Sequence, residues 1–298
     1  MAATLVPADV PGLSPVGDSP ARPGVLRRFL RNRSAVAGLI VLVAFVLLCF
    51  VGPLLYQTDQ THTDLTQVNL PPSAAHPLGT DALGFDQLGR LMAGGRLSLV
   101  IGLAAGLLAT VIGTFWGTVA GYAGGWVDAV MMRLVDTAIA IPALFVLLVI
   151  SAIAQPGPVG LVVILGLVSW LVPARLLRAE TLTLKERDYV QTLRAIGGTH
   201  RRAITHHIVP NSISTIVVAV TLQIADSILL LAYVSYLGMG VRSPDVDWGG
   251  MLSDALSSVH SGYWWLTVPP GLCVIAVVCA FNAIGEGLRD AFEIRERR

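Results

Sequence analysis

The most informative absence in this 298-residue sequence is that of charge. Asp, Glu, Lys and Arg make up only 13% of the residues and 54% are hydrophobic, whereas about 25% charged residues is usual for a soluble domain. The three cysteines all lie in apolar runs, which excludes a disulfide framework. The composition is that of an integral membrane protein. Because the formal net charge is only +1, we expect no nucleic-acid partner.

Lysine and the common catalytic motifs are also missing. Lys185 is the only lysine, no glycine loop precedes it, and G-x-x-x-x-G-K-[ST] occurs nowhere in the chain. H-E-x-x-H and G-x-S-x-G are absent, and His206 and His207 are adjacent, so on a helix their rings would point about 100° apart. We therefore expect no catalytic, cofactor-binding or metal site here, and any ATP must be bound by a partner.

Six apolar segments remain, each long enough to cross the hydrocarbon of a bilayer. They predict an all-α membrane protein with a tail at 1–33, a six-helix domain at 34–286 and a tail at 287–298. A Pro-Gly-Pro turn at 156–158 divides one long uncharged run, and the glycine-rich end of the second segment marks where that helix leaves the bilayer. The predicted spans are 34–56, 97–119, 134–154, 159–177, 213–237 and 264–286.

The basic residues give the orientation of these six spans. An even number of spans puts both termini on one side, and that side then holds seventeen of the twenty Lys and Arg residues. The other side holds Arg90, Arg96 and Arg242. Because positive residues accumulate in the cytoplasm, both termini and the interval 178–211 are predicted to be cytoplasmic. The intervals 57–96 and 240–262 become external loops.

Charges inside the spans are few. Asp226 is the one acid well inside a span, while Arg133 and Asp136 are spaced to pair with each other near a helix start. The favoured interpretation of Asp226 is that it faces the bundle interior and hydrogen-bonds to a neighbouring helix; the alternative is a direct role on a transport path. The candidates for a pathway or its external mouth are Asp226, Tyr233, Asp247 and Trp248.

The interval from Lys185 to Asn211 is the longest polar stretch between two apolar segments. Thr183 to Glu186 has the spacing of a capping box, which predicts a helix start there. Gly197 and Gly198 predict a break, Thr199 a second N-cap, and Pro210 a boundary. This pattern predicts two short helices joined by a glycine turn. By itself it leaves open whether the surface docks a partner or is basic only because orientation requires it.

The same interval resembles the cytoplasmic coupling loop of ATP-binding-cassette importer permeases, in Glu186 to Asn211 with Gly197 and the Ile-Val-Pro-Asn ending. More narrowly, the chain resembles the second permease subunit of dipeptide, oligopeptide and nickel importers over roughly 27–291. The further matching segments are His76 to Asp81 with Gly84 and Asp86, Gly94 to Leu99, Ala120 to Tyr122, Gly124 to Asp128, Met132, Arg133 and Asp136, Ser235 to Gly240, Trp248 and Gly249 with Met251 and Leu252, and Gly285 to Asp290.

The resemblance implies a type I importer fold with cytoplasmic coupling helices, in the membrane of a bacterium. It implies a heterodimer with a homologous permease, two cytosolic ATPase subunits or domains that bind ATP and Mg, and an extracellular binding protein. Peptides are the expected cargo, with a nickel chelate, glutathione or a tetrapyrrole as alternatives. The expected ATPase contact consists of Glu186, Tyr189, Arg194, Ala195, Gly197, Gly198, Arg201 and Arg202.

Two departures and two rival functions complete the sequence-based picture. Thr192 and Leu193 stand near the family's paired alanines, and Leu231 occupies the place of a frequent glutamate, with Asp226 five residues earlier.

A secondary carrier or channel acting alone would depend on an ion gradient and on Asp226. A membrane enzyme is the third possibility, but no catalytic group can be assembled for it.

Overall fold

A computed structural model describes residues 25–60 and 62–296, so the predicted tail before Val25 lies outside the described residues. Most of these residues are helical, and the only extended pairing among the described residues is an isolated bridge between Thr80 and Asp86. The helices are α1 (Val25–Phe29), α2 (Arg33–Phe50), α3 (Gly52–Leu55), α4 (Gln87–Ala123), α5 (Gly125–Ile139), α6 (Ala143–Ala154), α7 (Pro158–Ser169), α8 (Leu171–Lys185), α9 (Asp188–Ala195), α10 (His200–Ala203), α11 (Val209–Asn211), α12 (Ile213–Tyr236), α13 (Trp248–Ala255) and α14 (Trp264–Glu296).

By length and composition, four helices are able to cross a membrane: α2, α4, α12 and the part of α14 up to Phe292. Two further pairs qualify as broken spans, α5 with α6, bent by 77°, and α7 with α8, bent by 45°. The predicted all-α membrane fold is therefore confirmed, with up to six candidate spans. Two of them are not straight helices, which the sequence-based prediction did not foresee.

Proline explains both bends. Pro142 disfavours helical geometry at the residue before it and restarts the chain as the N-cap of α6. Pro173 lies in the first turn of α8, where it has no N–H to donate to the carbonyl of Ser169, so the helix breaks at Trp170. Each bend thus follows from a single proline rather than from a polar loop.

The longest helix, α4, begins ten residues before the predicted span. Asp86 is its N-cap and accepts a hydrogen bond from the Gly89 N–H at 2.8 Å. The last ten residues of the predicted external loop 57–96 are therefore helical. Gly117 and Gly121 lie within α4, and the helix ends at Ala123 with Gly124 at φ 68°.

Those glycines let α4 approach its neighbours closely. A Cβ on Gly117 would lie 2.2 Å from the carbonyl oxygen of Ala174 in α8, and one on Gly106 would lie 2.8 Å from the backbone of Ile224 in α12. Small residues at helix contacts are the usual means of packing spans in a membrane, where no hydrophobic effect drives association. The glycines make α4 the central helix of the bundle.

Both described ends of the chain lie at one end of that bundle. Phe29 and Ala35 pack with Ile284 and Ala291, which joins the start of the chain to the end of α14. A Cβ on Gly52, after α2, would meet Met92 near the start of α4, so α2 and α4 run in opposite directions. The C-terminal end of α4 therefore shares its end of the bundle with α1 and the end of α14.

Candidate functional sites

The interval between α8 and α12 folds as two short helices joined by a glycine turn, as predicted. Gly197 has φ 80°, in the left-handed region, and the Gly198 N–H donates to the carbonyl of Leu193 at 2.8 Å. This is the bond of a Schellman motif, which ends α9. Thr199 then caps α10 by accepting from the Arg202 N–H at 3.3 Å. The chain reverses at Gly197 because glycine has no Cβ to oppose that conformation.

The predicted capping box at Thr183 to Glu186 was wrong. α8 continues to Lys185, and the Thr183 hydroxyl donates to the Ala179 carbonyl at 3.3 Å inside the helix. The helix that follows begins at Asp188, whose carboxylate stands in its first turn, where a negative charge is favoured by the helix dipole. The spacing of a capping box was present, but the apolar face of α8 extended the helix through it.

This two-helix segment is fixed to the bundle by a small apolar core. Val190 in α9, Ala203 in α10 and Ile208 pack with Leu184 at the end of α8 and Tyr122 at the end of α4. Val190 and Ile208 are fully buried. The stretch from Ile204 to Ile208 is a π-helix, ahead of Pro210, which has no N–H for the preceding turn. The segment therefore moves with α4 and α8, at the end of the bundle where α1 and α14 meet.

Around this core, most predicted contact residues point outwards. Ile196, which was not predicted, is 76% exposed at the tip between the helices. An apolar side chain so exposed beside the open turn at Gly197 suits a partner's pocket; its place directly before a helix-ending glycine is the signal that could have found it. The predicted contact residues that are exposed are Glu186, Tyr189, Ala195, Gly197, Arg201 and Arg202. Gly198 is half-buried, and the side chain of Arg194 is not among those that the structure describes.

A second site is a cavity of about 550 Å³ at the two helix breaks. Asp226 and Tyr233, two turns apart on α12, both line it. The opposite walls come from residues 138–143 at the α5–α6 break and from 167–172 at the α7–α8 break. The structure thus brings two of the four pathway candidates together.

Asp226 does not behave as the favoured interpretation supposed. Its side chain is exposed in the chain, and among the described residues no hydrogen bond or ion pair joins it to a neighbouring helix.

Asp136 pairs with Arg175 of α8 at 2.6 Å rather than with Arg133. The physical reason is that the α7–α8 bend brings Arg175 beside α5, so that the pair closes between helices and not along one helix.

The other two pathway candidates are buried elsewhere. Trp248 is 1% exposed and donates its Nε1–H to the Leu91 carbonyl at 3.0 Å. Asp247, also 1% exposed, caps α13 by accepting from the N–H groups of Gly249 and Gly250. Their side chains therefore do not line an external mouth. The polar interval 240–262 contains a helix that packs against α4 and α12, because Gly94 and Gly95 leave room for it.

At the same end as α13, the loop before α4 is held by a polar cluster. The His76 Nδ1 lies 2.9 Å from Asp86 and its Nε2 lies 2.7 Å from Gln67. The Tyr56 hydroxyl donates to Asp86 at 2.8 Å, and the Trp265 Nε1–H donates to the Thr80 carbonyl at 3.3 Å. These bonds join α3, the loop and α14 into one rigid surface opposite the α9–α10 segment.

With this geometry in place, comparison with known proteins identifies the fold. Residues 113–298 match the family model described as the inner membrane component of binding-protein-dependent transport systems. Residues 24–72 match the N-terminal transmembrane domain of oligopeptide transport permease C. The chain belongs to the family of binding-protein-dependent transport permeases. The predicted family and the multi-pass location in the inner membrane of a bacterium are confirmed.

Relatives of this permease match nearly its whole length. The oligopeptide transport system permease protein OppC of Escherichia coli K12 is 41% identical over 91% of this chain and 90% of its own length. The dipeptide transport system permease protein DppC of Bacillus subtilis 168 is 35% identical over 91% and 85%. One solved structure, of an amino acid ABC transporter with histidines, shows 21% identity and a TM-score of 0.46, covering 69% of this permease and 94% of that chain.

Proposed function

We propose that this permease is one of two membrane subunits of an importer that moves peptides into the cell at the expense of ATP. Its relatives OppC and DppC are named for oligopeptide and dipeptide transport. In this proposal a homologous permease completes the pathway, and two cytosolic ATPase subunits or domains bind ATP and Mg. An extracellular binding protein delivers the solute, and this chain has no ATPase site of its own.

The observation that carries the proposal is the α9–α10 segment. It is anchored on α4 and α8 through Tyr122 and Val190, and it presents Ile196 and Gly197 to solvent. It lies at the end of the bundle that gathers both described chain ends and most of the basic residues. The positive-inside rule makes that end cytoplasmic, where ATPases are found. An exposed segment that is firmly packed on the bundle at that end can transmit a movement of a partner protein to the transmembrane helices.

Transmission follows from this mounting. When two ATPase subunits close on ATP, a segment seated in their grooves moves with them. Because Val190, Ala203 and Tyr122 share one core, the movement is passed to α4 and α8 and not absorbed in a loop. α4 contacts α2, α7, α8 and α12, so the bundle moves as a packed unit between inward-open and outward-open states. The polar cluster around His76 and Asp86 would form part of the external surface for the binding protein.

The turn at Gly197 provides the test. A Cβ there meets no atom within 4 Å in this chain, so a bulky side chain has room and obstructs what docks on the turn. The φ of 80° strains any non-glycine residue at this position. We expect Gly197→Trp to abolish peptide uptake and substrate-stimulated ATPase activity while membrane insertion stays normal. Gly197→Asn is the matched control, since asparagine tolerates the left-handed conformation, and it should retain both activities. Full activity of Gly197→Trp would remove the docking claim.

One observation favours a second candidate, an ion-coupled carrier that acts alone. Asp226 lies in mid-span, and an ionisable residue inside a span often marks an ion or proton pathway. That candidate predicts uptake into vesicles containing this chain only, driven by an ion gradient. Co-purification with an ATPase subunit, and uptake that requires ATP, would decide for the importer.

A further inference from the structure

The cavity beside Asp226 lies between the continuous helix α12 and two pairs of helix ends. α5 ends and α6 begins at one wall, and α7 ends and α8 begins at another. Broken spans expose backbone groups that an unbroken helix would use internally, and inside a membrane they are tolerated only where they face protein or a cavity. The place of these breaks is thus a candidate for solute contact.

The breaks lie part-way along the bundle, on a face of the chain where Ile141 and Val172 are exposed. α6 and α7 have 12 residues each, or about 18 Å, which is roughly half of a hydrocarbon core of about 30 Å. Asp226 stands near the middle of the 24-residue α12. The cavity, the two breaks and the carboxylate therefore lie at similar positions along the bundle, within the predicted spans rather than in the loops.

The charge of this cavity is unbalanced. Asp226 is the only acidic or basic residue in its lining, which otherwise consists of apolar residues with Ser169, Gln223 and Tyr233. The nearby Asp136 is already neutralised by Arg175 at 2.6 Å. A lone carboxylate in a low-dielectric surrounding is costly unless a cation accompanies it, and among the described residues the cavity lining supplies none.

The cavity also offers hydrogen-bond donors. α6 begins after Pro142 without a side-chain cap, and its first recorded backbone bond runs from the Phe145 N–H to the Pro142 carbonyl at 3.0 Å. The N–H groups of Ala143 and Leu144 precede that bond and have no intrahelical acceptor. The Ser169 hydroxyl is 9% exposed and has no hydrogen-bond partner among the described residues. A solute that carries a cationic group next to carbonyl oxygens would match this combination of one anion and several donors.

We infer that Asp226 is the counter-ion for the ammonium group of the transported solute, held in the cavity at the two helix breaks during passage. The inference rests on the proposed function and deepens it, because it names a protonated amine as the recognised group. A free peptide N-terminus is such a group. Tyr233, two turns towards the end of α12, and Gln223 complete the polar side of the same wall.

The test uses the complete transporter in proteoliposomes, with its partner permease, ATPases and binding protein. The probes are labelled trialanine and N-acetyl-trialanine, supplied at equal occupancy of the binding protein, so that selection by that protein is removed. We expect the wild type to import the free peptide at least 10-fold faster than the acetylated one. Asp226→Asn, which keeps the shape and removes the charge, should import both at similar rates, with the free peptide slowed at least 10-fold.

The control variant is Asp226→Glu, which keeps the charge and should retain at least a third of wild-type uptake of trialanine. Co-purification of all subunits should be equal for the three complexes, which shows that assembly is unaffected. Equal preference for the free peptide in wild type and Asp226→Asn would overturn the inference while leaving peptide import in place. A wild-type complex that hydrolyses ATP yet imports neither probe would overturn the proposed cargo, and the inference with it.

Discussion

Arg178 of α8 binds Asp128 of α5 through two hydrogen bonds of 2.6 Å, from its Nε and from one terminal nitrogen. The two residues are fifty positions apart in sequence and the carboxylate side chain is 12% exposed. This paired geometry is the strongest that an arginine and a carboxylate can form. It ties together α5 and α8, one helix from each of the two broken spans.

Replacing Arg178 by lysine should therefore destabilise the permease although the charge is kept. Lysine offers a point charge and cannot form the two parallel bonds, so we expect a loss of about 1 to 2 kcal/mol. Thermal unfolding in detergent measures it, and a double-mutant cycle with Asp128→Asn isolates the pair. A melting temperature unchanged by Arg178→Lys would show that the ion pair is dispensable.

The close contact between α4 and α8 gives a second prediction. Gly117→Ala places a Cβ about where the Ala174 carbonyl lies, since the distance in the present backbone is 2.2 Å. The two helices must separate, at a cost of about 1 to 3 kcal/mol. Gly271→Ala in α14 is the matched control, because its Cβ would lie 3.8 Å from Leu252, an ordinary contact. Equal melting temperatures for the two variants would contradict the packing account.

The residues adjacent in sequence were sufficient to predict some turns and helix caps, but not the bends in the broken spans. The turn at Gly197 and the cap at Thr199 follow from the conformational preferences of single residues, so the sequence predicted them. The bends at Pro142 and Pro173 were missed because each proline is set in a long apolar run, whereas the Pro-Gly-Pro turn was found because three breakers coincide. A single missing N–H is enough to break a helix, but it leaves hydropathy unchanged.

Long-range pairing was beyond such reasoning. Asp136 was expected to pair with Arg133, one turn away, but it pairs with Arg175 because the bend between α7 and α8 brings that residue beside α5. Trp248 was a candidate for the pathway or its external mouth, yet it is buried against Gly95, where a Cβ would lie 2.5 Å from its ring. The space for it is created by a glycine about 150 positions away, which sequence spacing does not reveal.

The exposed tip of the α9–α10 segment gives a prediction that separates docking from stability. Ile196 is 76% exposed, so Ile196→Ser should leave the melting temperature of the isolated permease unchanged. If the side chain enters a pocket on the ATPase, the same variant should lower co-purification of that subunit at least several-fold, since burying such a residue contributes about 1.5 to 3 kcal/mol. Leu55→Ser, at the opposite end of the bundle and 84% exposed, should affect neither. Undiminished co-purification of Ile196→Ser would place the contact elsewhere.

Asp247 predicts a dependence of stability on pH. Burial raises its pKa from 3.8 to about 6, against hydrogen bonds from Gly249 and Gly250 that lower it. The folded state therefore holds this proton more tightly than the unfolded state. Its contribution to stability is fully present below about pH 4 and is lost as the pH rises through about 6, with a limit of about 3 kcal/mol.

Asp247→Asn should remove this dependence, because asparagine caps a helix as well as aspartate does and has no proton to lose. We expect the variant to melt above the wild type at pH 8 and close to it at pH 4, in detergent-solubilised protein scanned across that range. Asp245, an exposed neighbour on the same loop, provides the control: Asp245→Asn should leave the wild-type profile unchanged. If Asp247→Asn instead lowered the melting temperature at every pH, the carboxylate would be needed in its charged form, and the bonds from Gly249 and Gly250 would outweigh the cost of burial.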